Sequence, residues 1–172
     1  MKRATIILFA ITAVLLTACD YDSPYSAYRA NFIFDKSVYP YYQVDSYGLF
    51  ICVKRSTNSG EYKITDATGR TQTMSIPEMQ LQMNPFHYGQ GGLIIGRPTN
   101  CDGYIWAYDW ACPLCDSPSK RVEIDYTTGH ATCPKCVTKF DLNSGGIAIE
   151  GKSRPLWRYH VYENNPNVII RN

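Results

Sequence analysis

The sequence predicts an all-β protein with an antiparallel sandwich or barrel-like body and a small metal-binding subdomain. Two observations support this prediction. Short apolar or alternating segments recur along the 172 residues, and clusters of Gly, Asn and Ser separate them as turns. Four cysteines also stand in two matched Cys-Pro-x-Cys pairs in the second half of the chain. We expect a low helix content.

The N-terminus predicts export. Met1-Lys2-Arg3 precedes an apolar run from Ala4 to Leu16, which is shorter than the ~20 residues that span a bilayer. The tetrapeptide Leu16-Thr17-Ala18-Cys19 resembles the lipobox of bacterial lipoproteins. The resemblance implies a signal peptide over residues 1–18, lipidation of Cys19 and a membrane-anchored protein of the cell envelope that faces the periplasm or the exterior. The alternatives are a signal peptide cut nearby with Cys19 free, or an uncut anchor.

After the signal, residues 19–28 predict a short, polar, poorly ordered tether. Residues 29–172 are long enough for one domain that buries about 70% of its unfolded surface. The net charge of +2 includes no basic stripe, so no nucleic-acid partner is predicted.

The first half of the domain predicts several strands. The strongest runs from Tyr47 to Arg55, is nearly continuous in apolar character and is expected to be central. A glycine-rich loop, Gly89-Gln90-Gly91-Gly92, could cradle phosphate but lacks a Walker pattern, which favours a strand connection. The other predicted strands are 30–34, the weaker 61–64 and 93–96.

The second half predicts strands around the cysteines. An aromatic strand over 103–110 leads into the first pair, and alternation at Val122, Ile124 and Tyr126 predicts a hairpin with residues 130–132 that leads into the second. Further strands are predicted over 139–142, 147–151 and 155–161.

The spacing of Cys112, Cys115, Cys133 and Cys136 predicts one metal centre. It reads C-x2-C-x17-C-x2-C, which falls within the range of four-thiolate zinc or iron sites. Proline presets φ at the second position of each pair, so both thiolates can point the same way. Disulfides are the alternative, because the predicted compartment is oxidising. The flanking cations Lys120, Arg121, Lys135 and Lys139 would lower thiolate pKa values or form a solvated face.

The second cysteine pair and the strands after it resemble the Rieske iron–sulfur domain. Cys133-Pro134-Lys135-Cys136 stands in the place of its second cluster box, before Phe140-Asp141-Leu142, a glycine turn and a Pro-Leu-x-x-Tyr-x-Val strand at Pro155–Val161. The resemblance extends from Gly92 to Val161 and is to the four-cysteine variant found in bacterial lipoproteins.

This resemblance implies a Rieske-like fold with a small rubredoxin-like or zinc-ribbon-like metal-binding subdomain. Cys112 and Cys133 match the family's cysteine ligands, while Cys115 and Cys136 lie near its histidine positions. The first box is one residue longer than in the family, and no histidine stands at either place. Histidine ligands raise the reduction potential, so a lower-potential electron carrier is implied. The residues leave two centres open, a [2Fe–2S] cluster or a single Zn²⁺ in a closed structural cage.

The remaining candidates carry weaker signals. Cys52 and Cys101 would form a disulfide or be buried as small apolar residues. His130 could substitute as a ligand, but an ordinary hydrogen-bonded histidine is favoured. No catalytic constellation appears, so the sequence predicts a metal-binding electron carrier with an unknown redox partner, or a structural or interaction protein, rather than an enzyme. A thiol–disulfide protein is the third possibility, but the sequence lacks the βαβ pattern expected of a thioredoxin-like protein.

Overall fold

A computed structural model describes residues 23–172 of the chain. The predicted signal peptide over residues 1–18 and the predicted lipidation site Cys19 lie outside the described residues. The described part is 42% strand and 9% helix, which confirms the all-β prediction. The strands are β1 (Ala30–Asp35), β2 (Phe50–Arg55), β3 (Glu61–Thr65), β4 (Thr71–Ser75), β5 (His87–Tyr88), β6 (Leu93–Gly96), β7 (Trp106–Asp109), β8 (Glu123–Asp125), β9 (His130–Thr132), β10 (Lys139–Asp141), β11 (Ile147–Glu150), β12 (Arg158–Asn164) and β13 (Asn167–Arg171).

Helices are short in this part of the chain. One α-helix, α1 (Glu78–Met83), follows β4, and 3-10 helices cover Tyr41–Asp45 and Leu142–Ser144. Across residues 23–172, no helix has both the length and the apolar character that crossing a membrane requires.

Nine strands form one antiparallel sheet, which we call the body. Their order is β4-β3-β2-β6-β7-β12-β13-β1-β5. The sheet curls on itself, because Phe32 of β1 and Tyr62 of β3 are far apart in the strand order but have ring centroids only 5.6 Å apart. A strongly twisted sheet of this size tends to curl, and here the curl encloses a core.

The position of strand β2 between two cores explains why its sequence is continuously apolar. Phe50, Ile51, Cys52 and Val53 are all buried, so this strand is covered on both faces. Ile51 and Val53 face the inside of the curled body, while Phe50 and Cys52 face a second core on the other side. The strand lies between β3 and β6, which confirms that it is central.

The body core is rich in aromatic side chains. Its buried members are Ala30, Phe32, Phe34, Tyr41, Val44, Ile51, Val53, Tyr62, Ile64, Tyr88, Leu93, Ile95, Ile105, Ala107, Tyr159, Val168 and Ile170.

A second sheet of four antiparallel strands, in the order β11-β10-β9-β8, lies against the outer face of the body. We call residues 112–150 the metal subdomain. Between its sheet and the body lies the subdomain core, formed by Phe50, Cys52, Ile94, Tyr108, Cys112, Val122, Ala131, Cys133, Phe140, Leu142 and Leu156. The chain enters the subdomain after β7 and returns to the body at β12, so the subdomain is an insertion between two neighbouring strands.

The segment 23–28 packs on the body, which differs from the poorly ordered tether that the sequence predicts. Ser26 is buried, its N–H donates to the carbonyl of Arg158 at 2.9 Å, and its Oγ accepts from the Tyr159 hydroxyl at 3.1 Å. The ring of Tyr25 stacks on His160 with centroids 4.0 Å apart. Side-chain contacts with β12 therefore order a stretch whose composition is typical of a linker.

Candidate metal centre

Four cysteine sulfurs meet at the edge of the metal subdomain. The Sγ atoms of Cys112, Cys115, Cys133 and Cys136 all lie within 4.8 Å of one another. The Sγ atoms of Cys112 and Cys136 are 3.5 Å apart, and those of Cys115 and Cys133 are 3.7 Å apart. Four thiolates bound to one tetrahedral ion at about 2.3 Å would be about 3.8 Å apart. The cysteines are therefore positioned to hold one metal ion.

The same distances argue against the disulfide alternative. A disulfide bond is about 2.05 Å long, and all four thiols are free. Sulfurs of different pairs approach to 3.5 and 3.7 Å, so the pairs do not stand apart as two separate cross-links. A redox-active Cys-Pro-x-Cys motif would instead pair its own two sulfurs.

The two pairs, which we call the first knuckle (Cys112–Cys115) and the second knuckle (Cys133–Cys136), share one backbone conformation. The residue after each is left-handed: φ is 43° at Asp116 and 57° at Val137. These are the two non-glycine residues of the described chain with positive φ. The N–H of each donates to the carbonyl of the first cysteine of its knuckle, at 3.0 Å and 2.9 Å respectively. This repeated turn aims both sulfurs of each knuckle at one point.

Burial differs within each knuckle. Cys112 and Cys133 are fully buried in the subdomain core, whereas Cys115 and Cys136 are partly exposed. Short flanking backbone bonds fix the inner cysteines, since Cys112 N–H donates to the Lys120 carbonyl at 2.8 Å and Cys133 N–H donates to the Thr138 carbonyl at 2.9 Å. The centre therefore has an inner side set in apolar surroundings and an outer side near solvent.

The local electrostatics of the thiols follow this division. Burial raises the pKa of the Cys112 thiol well above its usual range, although the N–H groups of Cys115 and Leu114 oppose the effect. Burial acts in the same direction at Cys136, but hydrogen bonds with the hydroxyl and N–H of Thr138 and with the sulfurs of Cys133 and Cys112 together lower the pKa to about 6. The Thr138 hydroxyl lies 3.3 Å from this sulfur. Cys136 is thus held ready as a thiolate, the form that binds metal.

The cations near the knuckles serve mostly other partners. Lys139 forms an ion pair with Glu150 at 3.1 Å across β10 and β11. Arg121 donates from Nε to the Gly91 carbonyl and lies over the Trp110 ring at 5.7 Å. Lys120 and Lys135 are exposed. These contacts favour the prediction of a solvated charged face.

The other predicted candidates lie outside the cluster. His130 is on β9 and does not join the four cysteines. Cys52 and Cys101 are free thiols with different neighbours: Cys52 Sγ is 3.9 Å from the Tyr126 hydroxyl, and Cys101 donates to the Asn143 carbonyl at 3.6 Å. The glycine-rich loop at 89–92 connects β5 to β6, as the sequence favours.

Sequence reasoning missed Asp109, a buried carboxylate that joins the glycine-rich loop to the first knuckle. Its Oδ1 accepts the N–H groups of Gly91 and Ala111 at 2.9 and 2.8 Å, and its Oδ2 accepts the Gln90 N–H at 2.7 Å and the Tyr159 hydroxyl at 2.6 Å. Its only sequence signal is an acid at the end of an aromatic strand. By holding Ala111, this carboxylate positions the residue directly before Cys112.

No family model, curated protein or solved structure matches this chain in the comparisons with known proteins. The likeness to the Rieske family therefore depends on the motifs around the second knuckle, and it stays a prediction. The molecule itself is an antiparallel β protein whose four clustered cysteines are placed to bind a metal ion.

Proposed function

We propose that this chain is a Rieske-like envelope protein whose four cysteines hold a single structural zinc ion. One observation carries the choice of a single ion: all four sulfurs are mutually close, within 4.8 Å. In a [2Fe–2S] cluster two thiolates belong to each of two irons, so the pairs on different irons are set apart by the iron–iron axis. The observed spacing matches the edge of about 3.8 Å expected around one ion at 2.3 Å from each sulfur.

The position of the ligands supports a structural role. Cys112 and Cys133 are members of the subdomain core, so an ion bound there would continue that core rather than sit in a cleft. Zinc with four thiolates supplies a closed, redox-silent cross-link with no open coordination position. The chain's own residues do the rest: Thr138 stabilises the Cys136 thiolate, and Asp109 holds the residue before Cys112.

The surroundings of the second knuckle support the Rieske-like part of the proposal. Phe140 and Leu142 of the Phe-Asp-Leu motif are both fully buried in the subdomain core. The glycine turn that follows has Gly145 in the left-handed region at φ 82°, where glycine is favoured. Leu156 of the Pro-Leu strand packs in the same core. The quoted motif residues thus form one packed unit beside the cysteines.

Metal analysis of anaerobically purified protein tests the proposal. We expect about one zinc per chain and no visible absorption, because zinc has a filled d shell. Cys115→Ser should remove most of the zinc, and the matched control Cys101→Ser should retain it. Cys101 is also a partly exposed free thiol but lies outside the cluster.

Three results would contradict the structural zinc site. Two irons with two acid-labile sulfides per chain would replace it with an iron–sulfur cluster. One iron without sulfide would indicate a mononuclear redox centre. Equal loss of metal from both cysteine variants would show that these four cysteines do not form the site.

Electron transfer is the second candidate function, and the exposure of the outer cysteines favours it. Cys115 and Cys136 are partly exposed, so an iron centre on these ligands would lie close to the surface where a redox partner could approach. This function requires a coloured protein and an electron paramagnetic resonance signal that changes on reduction. A colourless protein that shows no reduction wave would exclude it.

We also propose membrane anchoring through Cys19, on the basis of the lipobox-like sequence alone. The full chain expressed in a bacterium should be found in the membrane fraction, with a mature N-terminus at Cys19 and added acyl mass. Cys19→Ala should leave residues 1–18 uncleaved and no acyl mass. If a Cys19→Ala protein from which residues 1–18 have been cleaved still stays in the membrane fraction, the lipid anchor is contradicted.

A further inference from the structure

A cleft of about 280 Å³ lies beside the first knuckle and is separate from the metal site. It is lined by Arg29 just before β1, by Arg55 at the end of β2 and by Arg121. Strand β5 and the glycine-rich loop complete its walls. Its lining residues include three arginines and no acidic side chain. The cleft is therefore strongly positive.

The three arginines have no carboxylate partners in the part of the chain that the structure describes. The ion pairs found over residues 23–172 involve Lys36, Arg97 and Lys139 instead. Arg121 uses its Nε on the Gly91 carbonyl, which leaves the terminal nitrogens of its guanidinium for another acceptor. Three cations without ion-pair partners repel one another, and an anion between them would reduce that repulsion.

Two residues that line this cleft carry buried polar atoms without partners. Tyr88 is only 9% exposed, and its hydroxyl is buried without a hydrogen-bond partner. The Nε2 atom of its neighbour His87 is in the same situation. Both residues also line a neighbouring cavity that contains Glu61. Because buried polar groups are nearly always satisfied, a ligand that enters beside the arginines would supply the missing partners.

The protonation states of these two side chains suit them to an anion. Burial raises the pKa of Tyr88, so its hydroxyl stays protonated and can donate. Burial, followed by the positive charges of Arg29 and Arg55, lowers the pKa of His87. A neutral His87 can donate one hydrogen bond from Nε2 when its proton is on that atom.

A third buried polar atom without a partner, on Gln90, would favour hydrogenphosphate over sulfate. The Oε1 atom of Gln90 is an acceptor without a partner, while its Nε2 donates to the Tyr28 hydroxyl and to Asp116, each at 2.9 Å. Because Asp116 requires the amide nitrogen, the oxygen is fixed toward the cleft side. A ligand that also carries an O–H, as hydrogenphosphate does and sulfate does not, can donate to it.

The glycine-rich loop does not itself bind the ligand. Its Gln90 and Gly91 N–H groups already donate to Asp109, and a Cβ at Gly91 would clash with the backbone nitrogen of Ala111. The loop instead packs tightly on the residue before Cys112 and forms a wall. Recognition in the cleft thus falls to side chains.

We propose that this cleft binds a phosphate group, which Arg29, Arg55 and Arg121 neutralise and Tyr88, His87 and Gln90 orient through hydrogen bonds. The group belongs either to free inorganic phosphate or to a phosphate monoester that offers Gln90 an O–H, on its singly protonated phosphate or on its alcohol part, as glycerol 3-phosphate does. This site is independent of the metal that the cysteines bind.

Isothermal titration calorimetry on the metal-loaded full-length chain tests the site, with inorganic phosphate, glycerol 3-phosphate and sulfate as probes at one ionic strength. We expect phosphate to bind more tightly than sulfate. Tighter binding of glycerol 3-phosphate than of phosphate would assign the site to a phosphate ester, and the reverse order would assign it to the free anion.

Two substitutions connect the binding to the residues named. Arg55→Gln should weaken phosphate binding about 10-fold or more, and Tyr88→Phe should weaken it by about 3- to 10-fold. Tyr88→Phe keeps the ring in the body core and removes a hydroxyl that has no partner in the protein, so the variant should stay folded. Arg70→Gln, in the turn between β3 and β4, is the matched control and should bind as the wild type does.

The proposal is overturned if phosphate and glycerol 3-phosphate give no saturable heat at millimolar concentration. It is also overturned if Tyr88→Phe binds as the wild type does, or if Arg70→Gln weakens binding as much as Arg55→Gln. Equal affinity for sulfate and phosphate would remove the role given to Gln90 and with it the assignment to phosphate.

Discussion

The body core and the subdomain core rely on different interactions. The body core contains the rings of Phe32, Phe34, Tyr41, Tyr62 and Tyr88 and lies within strands of up to seven residues. The subdomain core lies beneath strands of three or four residues and includes three cysteines among its buried members. Subdomains this short seldom hold together by packing alone. The comparison teaches that the body should be stable by itself, whereas the metal subdomain should depend on the ion that we propose for it.

The two regions nevertheless share a wall. Strands β2, β6 and β7 send alternate side chains into each core, for example Ile95 into the body core and Ile94 into the subdomain core. The subdomain therefore rests on a rigid platform. Its loss should leave the body sheet paired, with one apolar face uncovered.

The largest expected effect comes from removing a metal ligand. Cys133→Ser should lower the affinity for the metal by more than about 100-fold, because a four-thiolate site loses a ligand that is fully buried. Hydrogen exchange followed by mass spectrometry should then show loss of protection over β8–β11 and persistence of protection in β2, β3 and β6. Equal loss of protection in both sheets would show that the body also depends on the metal. Cys101→Ser serves as the control.

Matched phenylalanine substitutions separate the two cores. Phe32→Ala in the body core and Phe140→Ala in the subdomain core each remove a fully buried ring, and each should lower the free energy of unfolding by about 3–5 kcal/mol. Only Phe140→Ala should also weaken metal binding, since Phe140 shares a core with Cys112 and Cys133. Urea unfolding and competition with a chelator measure the two effects. Similar weakening of metal binding by Phe32→Ala would contradict the division.

Acid should act on the body through Asp66. Burial tends to raise the pKa of this carboxyl, but hydrogen bonds from Thr68, Tyr39 and the Arg70 N–H lower it to about 2. Since the folded-state pKa is depressed, the stability that Asp66 contributes is present above its ordinary pKa of about 3.9 and is lost as the pH falls from about 4 toward 2.

The unfolding free energies of the wild type and of Asp66→Asn are compared at each pH. Any release of metal by acid would affect both proteins equally, so the difference reports on Asp66 alone. The variant should be less stable at neutral pH by about 1–2 kcal/mol, and the difference should shrink as the pH falls below 4. Urea unfolding at several pH values, followed by the near-ultraviolet signal of the body tyrosines, measures it. A difference that stays constant down to pH 2 would contradict the assigned pKa.

The smallest expected effect concerns the turn that ends the second knuckle. Val137 is β-branched, 73% exposed and left-handed at φ 57°, a conformation that glycine adopts without strain. Val137→Gly should therefore be neutral or stabilise the metal-bound protein by about 0.5 kcal/mol, after the entropy cost of glycine is subtracted. Lys135→Gly in the same knuckle lacks positive φ and should destabilise it slightly. Thermal unfolding of the two variants tests this, and a clear loss of stability in Val137→Gly would refute the account.

Some strands could be predicted because their burial leaves a mark in the sequence. The apolar run at Phe50–Val53 correctly indicated a central strand, and the cysteine spacing indicated the cluster. Strand β4 was not predicted because its residues are nearly all exposed at the edge of the sheet, so no alternation marks it. Strand β13 was also missed, although the buried Val168 and Ile170 alternate with Ile169 and could have revealed it.

Other features depend on contacts that a linear pattern does not contain. The strand predicted over 155–161 is displaced to Arg158–Asn164, because Leu156 turns into the subdomain core before the strand begins. Asp109 gains its hydrogen bonds from a loop 18 or 19 residues earlier in the chain. The arginine cleft likewise assembles Arg29, Arg55 and Arg121 from three distant segments.

Cys52 has a consequence for how thiols are counted in this protein. It lies in the same core as Cys112 and Cys133, yet burial raises its pKa to about 12, and its Sγ lies near the Tyr126 hydroxyl rather than joining the cluster. A reactive thiolate in the core that holds the two inner ligands could otherwise compete for a bound ion. Because Cys52 remains a neutral thiol, it packs as a small apolar residue and does not bind metal. Alkylating reagents applied to the folded holoprotein should accordingly leave it unlabelled.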